Sequence, residues 1–300
     1  MRTCEVAIGG LTFKNPVLAA SGTFGFGEEY APFFDPGLLG GICTKGLTLR
    51  PREGNDGPRM WETPSGMLNS VGLQNPGIDA FIRDILPGMR RYGTHIIANV
   101  GGSDEEDYAA ALAKLDATDV SIIELNISCP NVKHGGMALG VKTPIAEAFV
   151  RRMRRVTGKH LCVKLSPNAE DIAGMAEAVA AAGADSVSLI NTVQGMAIDV
   201  SARKAVFENV YAGLSGPAVR PIALRMVHQV VRRVDIPVIG IGGIATADDA
   251  LQFIMAGASA IQVGTANFSN PLAAVQIIRG IEEYMARNGI RSLDEIRGLV

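Results

Sequence analysis

Residues 124–136 (ELNISCPNVKHGG) carry the clearest chemical signal in the chain. The segment 121–127 is short and mostly apolar, as in a buried strand, and Pro130 must end it because proline cannot donate to a sheet ladder. Cys129 therefore lies at the carboxyl end of a strand, where a loop rich in glycine and charge begins. A thiol in that place can reach a substrate, and a neighbouring lysine or histidine could tune its pKa. We predict that Cys129 is a catalytic residue.

A second interpretation of Cys129 has to be weighed against this one. A lone cysteine is most often a buried, inert packing residue. Here, however, Asn126, Ser128 and Asn131 crowd the same strand end. Polar side chains in that number suit a ligand better than a core, so the functional interpretation is favoured.

The elements that must position this cysteine follow a repeated order of buried strand, polar or glycine-rich end, and helical segment. Apolar strands are predicted at residues 16–21, 41–45, 95–99, 121–127, 160–164, 186–191, 236–241 and 260–264. Helical spacing predicts helices at 79–91, 105–115, 145–156, 171–182, 219–234, 247–256 and 272–287, with 28–39 as a further candidate. Strands that are apolar throughout indicate a parallel sheet covered on both faces. We predict an α/β protein with a closed (β/α)8 (TIM) barrel; a doubly wound open sheet is the alternative.

Two further features complete the predicted architecture. Gly9 and Gly10, between two short apolar runs, predict an amino-terminal β-hairpin. The connections 46–94 and 192–235 are long, and both follow strand carboxyl ends, where barrel enzymes build their sites. Neither holds a core of its own, so we interpret them as active-site loops of a single domain spanning residues 1–300.

In a barrel, the polar residues at the strand ends would converge on one face. Each alone is weak, because an asparagine at a strand end is usually a turn former. Together they predict a pocket of fixed donors and acceptors suited to a planar, heteroatom-rich ligand and an anion. The set is Ser21, Thr44, Lys45, Asn99, Asn126, Cys129, Lys164, Asn191, Thr192, Gly242, Gly243, Gly264 and Thr265, with residues 69–73 and Asn75 from the first long loop.

Lys45 and Lys164 stand out in this set because each follows an apolar strand. Lysine is commonly a solvated surface group, but these strands would carry both stems into the barrel mouth. An inward ammonium needs an anionic partner, either a carboxylate or an anionic cofactor.

Residues 240–246 (GIGGIAT) open a predicted helix and could form a phosphate cradle from backbone N–H groups. Glycine pairs alone are often turns, and this run is not the GxGxxG fingerprint. Gly264 and Thr265 follow the next strand, and phosphate sites after the last two strands recur in TIM barrels. The pairing therefore favours a phosphate site.

Composition excludes several classes of function. The net charge is −2 and the pI is near 6.1, so nothing draws the chain to nucleic acid or to anionic membranes. The four cysteines have neither metal-site nor disulfide-framework spacing. The amino terminus lacks the apolar run of a signal peptide, and no stretch approaches the roughly 20 apolar residues of a membrane span. We expect a cytoplasmic protein with no metal site of its own.

Five motifs together resemble dihydroorotate dehydrogenase over essentially the whole chain: residues 69–77 (NSVGLQNPG), 126–131 (NISCPN), 191–192 (NT), 214–217 (LSGP) and 241–244 (IGGI). Cysteine rather than serine at position 129 resembles class 1 of the family, since the membrane-bound class 2 uses serine and an amino-terminal helical extension. Residues 132–136 (VKHGG) resemble the NAD-linked class 1B.

The resemblance implies a role for each matching residue. Cys129 would remove a proton from C5 of dihydroorotate while a hydride leaves C6 for N5 of FMN. The residues implied for FMN are Ser21, Thr44, Lys45, Gly46, Asn99, Asn126, Lys164, Ile190, Gly216, Gly242, Gly243, Gly264 and Thr265. Those implied for the pyrimidine and its carboxylate are Lys45, Asn69, Ser70, Val71, Gly72, Leu73, Asn126, Asn191 and Thr192.

The resemblance also implies one FMN per chain and a partner subunit that holds FAD and a 2Fe–2S cluster. Two copies of each subunit would form a heterotetramer that passes electrons to NAD+ in the synthesis of pyrimidine nucleotides.

Three alternatives remain open at the level of sequence. The nearest is a fumarate-linked class 1A homodimer. A tRNA dihydrouridine synthase also combines a flavin barrel with a cysteine, but it should show a basic surface and an RNA-binding extension. The third is a flavin-holding subunit without activity, against which Cys129, Lys164 and the asparagines argue.

Overall fold

The computed structural model describes residues 3–128 and 139–300. Its strands, in chain order, are β1 Val6–Ile8, β2 Leu11–Phe13, β3 Val17–Ala19, β4 Gly41–Cys43, β5 Met60–Thr63, β6 Gly66–Asn69, β7 His95–Val100, β8 Ile122–Asn126, β9 His160–Lys164, β10 Ser186–Leu189, β11 Val193–Met196, β12 Ile198–Asp199, β13 Lys204–Ala205, β14 Tyr211–Ser215, β15 Val238–Ile241 and β16 Ala260–Val263.

Eight of these strands form a closed parallel barrel. Going round it, the order is β3, β4, β7, β8, β9, β10, β15 and β16, and β16 pairs with β3 to close the ring. Most residues in these strands are buried, whether they face the barrel interior or the helices, as their apolar composition requires. The predicted (β/α)8 barrel is confirmed, and the doubly wound open sheet is wrong.

The helices surround this barrel. They are α1 Ile78–Ala80, α2 Leu86–Arg90, α3 Glu105–Asp116, α4 Thr143–Arg154, α5 Ile172–Ala181, α6 Arg220–Val231, α7 Ala247–Met255, α8 Ala266–Ser269 and α9 Ala273–Arg287. A π-helical turn, Phe81–Ile85, joins α1 to α2, and single 3₁₀ turns lie at Pro36–Leu38, Pro217–Val219 and Leu293–Glu295.

The connection between β3 and β4 differs from the prediction of a helix at residues 28–39. It consists of turns and the single 3₁₀ turn. Two prolines, Pro32 and Pro36, interrupt any α-helical hydrogen-bond pattern in so short a segment. Tyr30 instead holds it, because its ring stacks on Phe24 and its hydroxyl donates to the Thr23 carbonyl at 2.9 Å.

The amino-terminal hairpin is formed as predicted. β1 and β2 pair antiparallel, and Gly9 and Gly10 make the turn with φ of 53° and 83°. Glycine suits this turn because other residues rarely adopt positive φ. Phe13 then packs on the His95 ring with centroids 4.1 Å apart, which fixes the hairpin to the amino end of β7.

The two long connections pair with each other above the barrel. Strands from both form a four-stranded antiparallel sheet in the order β11-β14-β6-β5. A small apolar cluster of Leu68, Val206, Phe207 and Ala212 lies within it. Both connections contribute residues to this cluster, so the two loops stabilise each other beside the barrel mouth. In the described part of the chain, no helix is both long and apolar enough to cross a bilayer.

Candidate active site

Glu124 lies at the centre of the barrel with no solvent exposure. Its Oε1 accepts a hydrogen bond from Asn99 Nδ2 at 2.6 Å and from Cys43 Sγ at 3.2 Å. Its Oε2 accepts from Ser188 Oγ at 2.8 Å and from Gln262 Nε2 at 2.9 Å. Five strands thus meet at one carboxylate.

Lys164 is the charged partner of this carboxylate. Its side chain is 7% exposed, and its Nζ lies 3.8 Å from Glu124 Oε1. Burial opposes ionisation of Glu124, but the Lys164 ammonium and the hydrogen bonds from Asn99, Ser188 and Cys43 outweigh it and lower the pKa of the Glu124 carboxyl. The expectation that an inward Lys164 would need an anion is met by a carboxylate of the protein itself.

Asn99 is fully buried, and only one of the two polar atoms of its side chain has a hydrogen-bond partner among the described residues. Its Nδ2 donates to Glu124, whereas nothing among the described residues donates to its Oδ1. A Cβ placed on Gly46 would lie 3.1 Å from this oxygen, so Gly46 leaves the amide uncovered. A buried acceptor without a donor is costly, and a ligand that carries an N–H group would remove that cost.

Two other thiols lie inside the barrel and are unsuited to acid–base work. Burial raises the pKa of Cys162 to about 12, with Glu124 adding to the effect. Burial and Glu124 likewise raise the pKa of Cys43 well above its usual value. Cys129 lies outside the residues that the structure describes, so its catalytic role stays a prediction.

The asparagines predicted for the pyrimidine lie at the carboxyl end of the barrel. Asn191 Nδ2 donates to Asn126 Oδ1 at 3.2 Å, and Asn191 Oδ1 accepts from Thr192 N at 2.8 Å. Asn69 Nδ2 donates to the Gly213 carbonyl at 3.2 Å, and the Thr192 hydroxyl packs against Gly213. Asn69, Asn126, Asn191 and Thr192 are therefore linked through a short series of contacts.

The loop that follows Asn69 is held in place by other loop residues. Ser70 Oγ accepts from Asn55 Nδ2 at 3.0 Å, and the Val71 carbonyl accepts from Asn55 N at 3.0 Å. Gly72 has a φ of 77°, and Leu73 has a φ of 56°, which is uncommon for a leucine. The Leu73 side chain packs on Gly46.

Asn75 has a structural role, which differs from its placement among the ligand groups. Its Oδ1 accepts from the N–H groups of Thr48 and Gly77, and its Nδ2 donates to Thr48 Oγ1 at 2.8 Å and to the Leu73 carbonyl at 2.7 Å. All its hydrogen-bonding capacity serves the loop, so it stabilises the backbone beside Leu73.

Glycines meet at the ends of β14, β15 and β16. A Cβ placed on Gly243 would lie 2.7 Å from the Gly216 carbonyl oxygen and 3.0 Å from Arg220 N. A Cβ on Gly216 would lie 3.6 Å from Thr265 Cγ2, and one on Gly242 would lie 3.5 Å from Ile190 Cγ1. Gly216, Gly242 and Gly243 have φ of 94°, 135° and 69°, and the contact at Gly243 is too short for a side chain, so these positions favour glycine. Backbone N–H groups without side chains at the start of a helix suit an anion.

Asp249 stabilises the loop that contains Gly242 and Gly243. Its Oδ2 accepts from Ala245 N and Thr246 N, both at 3.0 Å, and it forms an ion pair with Arg220. Thr246 and Asp249 form a capping box at the start of α7. Because Asp249 uses the N–H groups of residues 245 and 246, those two groups are not available to an anion.

The remaining predicted residues lie near the Glu124 carboxylate or near the glycines that follow β14, β15 and β16. Thr44 is buried, and its Oγ1 accepts from Asn99 N at 3.1 Å. Ser21 follows β3 next to Ala20, whose Cβ would meet a Cβ on Gly264 at 3.6 Å. Thr265 Oγ1 donates to Ser215 Oγ at 2.8 Å.

Lys45 borders a cavity of about 650 Å³ beside the mouth. Burial and the nearby Arg59 lower the pKa of its ammonium, and Glu29 opposes this shift in part. Arg52, Glu53 and Phe268 also line the cavity, but Lys164 and Asn99 do not. Lys45 thus faces a more open space than Lys164.

Sequence reasoning missed Glu124, Ser188, Gln262 and the Asp249–Arg220 pair. The signal that could have found the first three is a polar residue with an apolar neighbour on each side within a buried strand, as in IIELN, SVSL and AIQV. In a barrel filled by side chains, several such residues have only one another as partners.

The comparisons with known proteins agree with this geometry. Residues 3–285 match the family model described as dihydroorotate dehydrogenase. The chain is 57% identical over 296 residues to a protein of Petrotoga mobilis named dihydroorotate dehydrogenase B (NAD(+)), catalytic subunit, and 99% of each chain is covered. Proteins of the same name from Thermoanaerobacter pseudethanolicus and Parabacteroides distasonis are 53% and 54% identical, covering 98% and 99% of this chain and 97% and 98% of theirs. The resemblance drawn from the motifs is confirmed, and the chain belongs to the dihydroorotate dehydrogenase family.

Proposed function

We propose that this chain oxidises dihydroorotate to orotate with FMN, as the catalytic subunit of an NAD-linked dihydroorotate dehydrogenase in pyrimidine biosynthesis. The observation that carries the proposal is the near-full-length similarity to proteins of that name. Those names favour the NAD-linked enzyme over the fumarate-linked alternative.

The described residues fit FMN at two separate places. At the barrel centre, the unpartnered Asn99 Oδ1 and the Lys164 ammonium supply an acceptor and a cation for a polar ring system. At the ends of β14 and β15, Gly216 and Gly243 bring backbone without side chains into close contact, and we propose this glycine cradle as the place of the phosphate. FMN, when bound, supplies the acceptor for the hydride from C6 of dihydroorotate.

The substrate would be held and activated by residues of this chain. Asn69, Asn126, Asn191 and Thr192 would orient the pyrimidine, together with Lys45 and the loop residues Ser70, Val71, Gly72 and Leu73. A C–H bond next to a carbonyl group needs a positioned base, and Cys129 is our candidate to take the proton from C5. The Lys164 ammonium would stabilise negative charge that arises in the site.

The cofactor set is part of the proposal and follows the family resemblance. The residues that would line one FMN per chain are Ser21, Thr44, Lys45, Gly46, Asn99, Asn126, Lys164, Ile190 and Gly216. Gly242, Gly243, Gly264 and Thr265 would bind its phosphate, beside Gly216.

The last part of the proposal concerns the electron acceptor beyond FMN. The relatives are named as catalytic subunits, which supports a second subunit that accepts electrons. We propose that this partner holds FAD and a 2Fe–2S cluster, that two copies of each subunit assemble, and that NAD+ is the final acceptor. A cytoplasmic location is consistent with the reduced thiols of Cys43 and Cys162.

Anaerobic flavin reduction tests the proposal. The purified chain, reconstituted with FMN, should be yellow, and dihydroorotate should bleach the flavin absorbance. Cys162→Ala is the matched thiol control and should bleach at the wild-type rate. A chain that binds no FMN, or whose flavin is untouched by dihydroorotate, would contradict the proposal.

A further inference from the structure

Glu124 belongs to none of the groups proposed above to touch cofactor or substrate, yet its carboxylate accepts four hydrogen bonds inside the barrel. A carboxylate without solvent contact is strongly disfavoured unless charges and hydrogen bonds replace its water. Its donors Cys43, Asn99, Ser188 and Gln262 sit on β4, β7, β10 and β16, while Glu124 itself sits on β8. A carboxylate bonded from four other strands is fixed in position.

Asn99 depends on this arrangement for its orientation. An amide has one donor end and one acceptor end, and the bond from Nδ2 to Glu124 Oε1 at 2.6 Å fixes which end faces inward. The acceptor Oδ1 is therefore the end that stays unpartnered beside Gly46.

Lys164 depends on the same carboxylate in a different way. The 3.8 Å between its Nζ and Glu124 Oε1 is too long for a good hydrogen bond but short for two charges in a barrel interior. Within residues 3–128 and 139–300, the ammonium forms no hydrogen bond to another side chain or carbonyl, so its N–H groups are available to a ligand. Glu124 balances the charge of Lys164 without occupying its donors.

We propose that Glu124 is a positioning residue that sets the reduction potential of the flavin. Its negative charge limits the positive potential that Lys164 presents to the cofactor, and its bond from Asn99 turns an acceptor toward the cofactor. This inference rests on the proposed function, because it takes FMN as the ligand of the barrel mouth.

The proposal predicts a sign for Glu124→Gln. Glutamine keeps the size of the side chain but removes its charge, so Lys164 is left uncompensated. Positive charge beside a group that gains electrons favours the reduced form. We expect the equilibrium constant for two-electron reduction to rise about tenfold, which corresponds to a midpoint potential about 30 mV more positive.

The measurement is anaerobic equilibration of the FMN-loaded protein with reference dyes, with thermal unfolding of the apoprotein recorded in parallel. Ser188→Ala is the matched control, because it removes a donor to the same carboxylate without changing charge. It should lower stability yet leave the potential near the wild-type value. Glu124→Asp keeps the charge and should bring the potential back toward the wild type.

A second comparison covers the case in which Glu124→Gln alone does not fold. Lys164→Met leaves the carboxylate uncompensated, whereas Glu124→Gln with Lys164→Met removes both charges of the buried pair, a change that proteins often tolerate. If Glu124 acts on the flavin, the single variant should have the lower potential, by about tenfold in the same equilibrium constant or about 30 mV.

The outcomes separate this inference from the proposed function. A wild-type chain that binds no FMN would contradict both the proposed function and the role of Glu124. FMN bound normally, with an unchanged or more negative potential in Glu124→Gln, would end only the role of Glu124. So would equal potentials in the single and double Lys164→Met variants. A lower unfolding temperature with no shift in potential would show that Glu124 is purely structural.

Discussion

Asn191 donates from Nδ2 to Asn126 Oδ1 across 3.2 Å, and this hydrogen bond joins the carboxyl ends of β10 and β8 over the intervening β9. Each amide thereby fixes the orientation of the other before any ligand arrives. A pair of oriented amides is well suited to a ring that carries both N–H and C=O groups.

The pair predicts different losses for its two members. Asn191→Ala should lower kcat/KM for dihydroorotate by roughly 10- to 100-fold, the effect of losing about 1–3 kcal/mol of hydrogen bonding, while the FMN content stays normal. Asn126→Ala should lower both kcat/KM and FMN affinity, since Asn126 is proposed for both ligands. Asn288→Ala, at an exposed asparagine that bonds the Tyr284 carbonyl at the end of α9, is the control and should behave as wild type. Steady-state kinetics and bound-flavin absorbance make the comparison, and wild-type kinetics in Asn191→Ala would refute the assignment.

Replacing Cys129 tests the proposed base. Cys129→Ala should bind FMN but reduce it roughly 10²- to 10⁴-fold more slowly, the usual contribution of base catalysis. Cys129→Ser should keep part of the activity, with its pH profile moved upward, because a hydroxyl is a much weaker acid than a thiol. Cys162→Ala should reduce flavin normally, since that thiol is buried and its pKa is raised to about 12. Stopped-flow reduction provides the rates, and a wild-type rate in Cys129→Ala would remove the cysteine from the mechanism.

Acid should weaken the amino end of the barrel through His160. Its Nε2 lies 2.8 Å from Ser186 Oγ, and burial lowers the pKa of the imidazole below its ordinary 6.5, although Asp185 and the Gly9 carbonyl act in the opposite direction. The unfolded chain then takes up the proton more readily than the folded one. The contribution of His160 to stability is therefore complete above about pH 6.5 and is lost as the pH falls below it. Urea unfolding at about pH 7.5 and about pH 5.5 should show a smaller loss for His160→Gln than for the wild type. Equal losses would contradict this prediction.

The glycine cradle can be tested with a pair of alanine substitutions. Gly243 and Gly289 have the same φ of 69°, but a Cβ on Gly243 would meet the Gly216 carbonyl at 2.7 Å, whereas one on Gly289 would meet nothing within 4 Å. Both variants should lose roughly 1–2 kcal/mol of stability to the positive φ, and Gly243→Ala should lose more because its Cβ meets backbone atoms. Only Gly243→Ala should also lose FMN affinity, by at least about tenfold, or 1.4 kcal/mol. Fluorescence titration of the apoproteins with FMN measures this, and equal affinities would rule out a phosphate site at Gly243.

The barrel can be predicted from the sequence because each strand and each helix is recognised from residues that are neighbours in the chain. Each buried strand reads as an apolar run, and each ends on glycine or a polar residue, so order and class follow without knowledge of contacts. The prediction of a helix at residues 28–39 is wrong because Pro32 and Pro36 interrupt the helical hydrogen bonds.

The site was predicted only where residues stand at strand ends. Glu124 sits inside a strand, and its importance comes from Asn99, Ser188 and Gln262, which are remote in sequence and share only the barrel interior. Asn75 shows the opposite error, since its four hydrogen bonds serve the loop rather than a ligand. Which partner a polar side chain meets depends on the closed barrel and cannot be read from spacing.

The last prediction concerns the partner subunit. In the isolated chain, dihydroorotate should reduce FMN, but NAD+ should not reoxidise it at a useful rate. Once the site glycines are assigned, the sequence offers no further strand–GxGxxG–helix unit for a second nucleotide. Within the described residues, no group of three or more His, Cys, Asp or Glu side chains is placed to hold a metal ion. Addition of a subunit carrying FAD and a 2Fe–2S cluster should restore reoxidation by NAD+. Stopped-flow reoxidation measures both states. Rapid NAD+ reduction by the chain alone would overturn the prediction, and efficient fumarate turnover without a partner would place the protein in the fumarate-linked class instead.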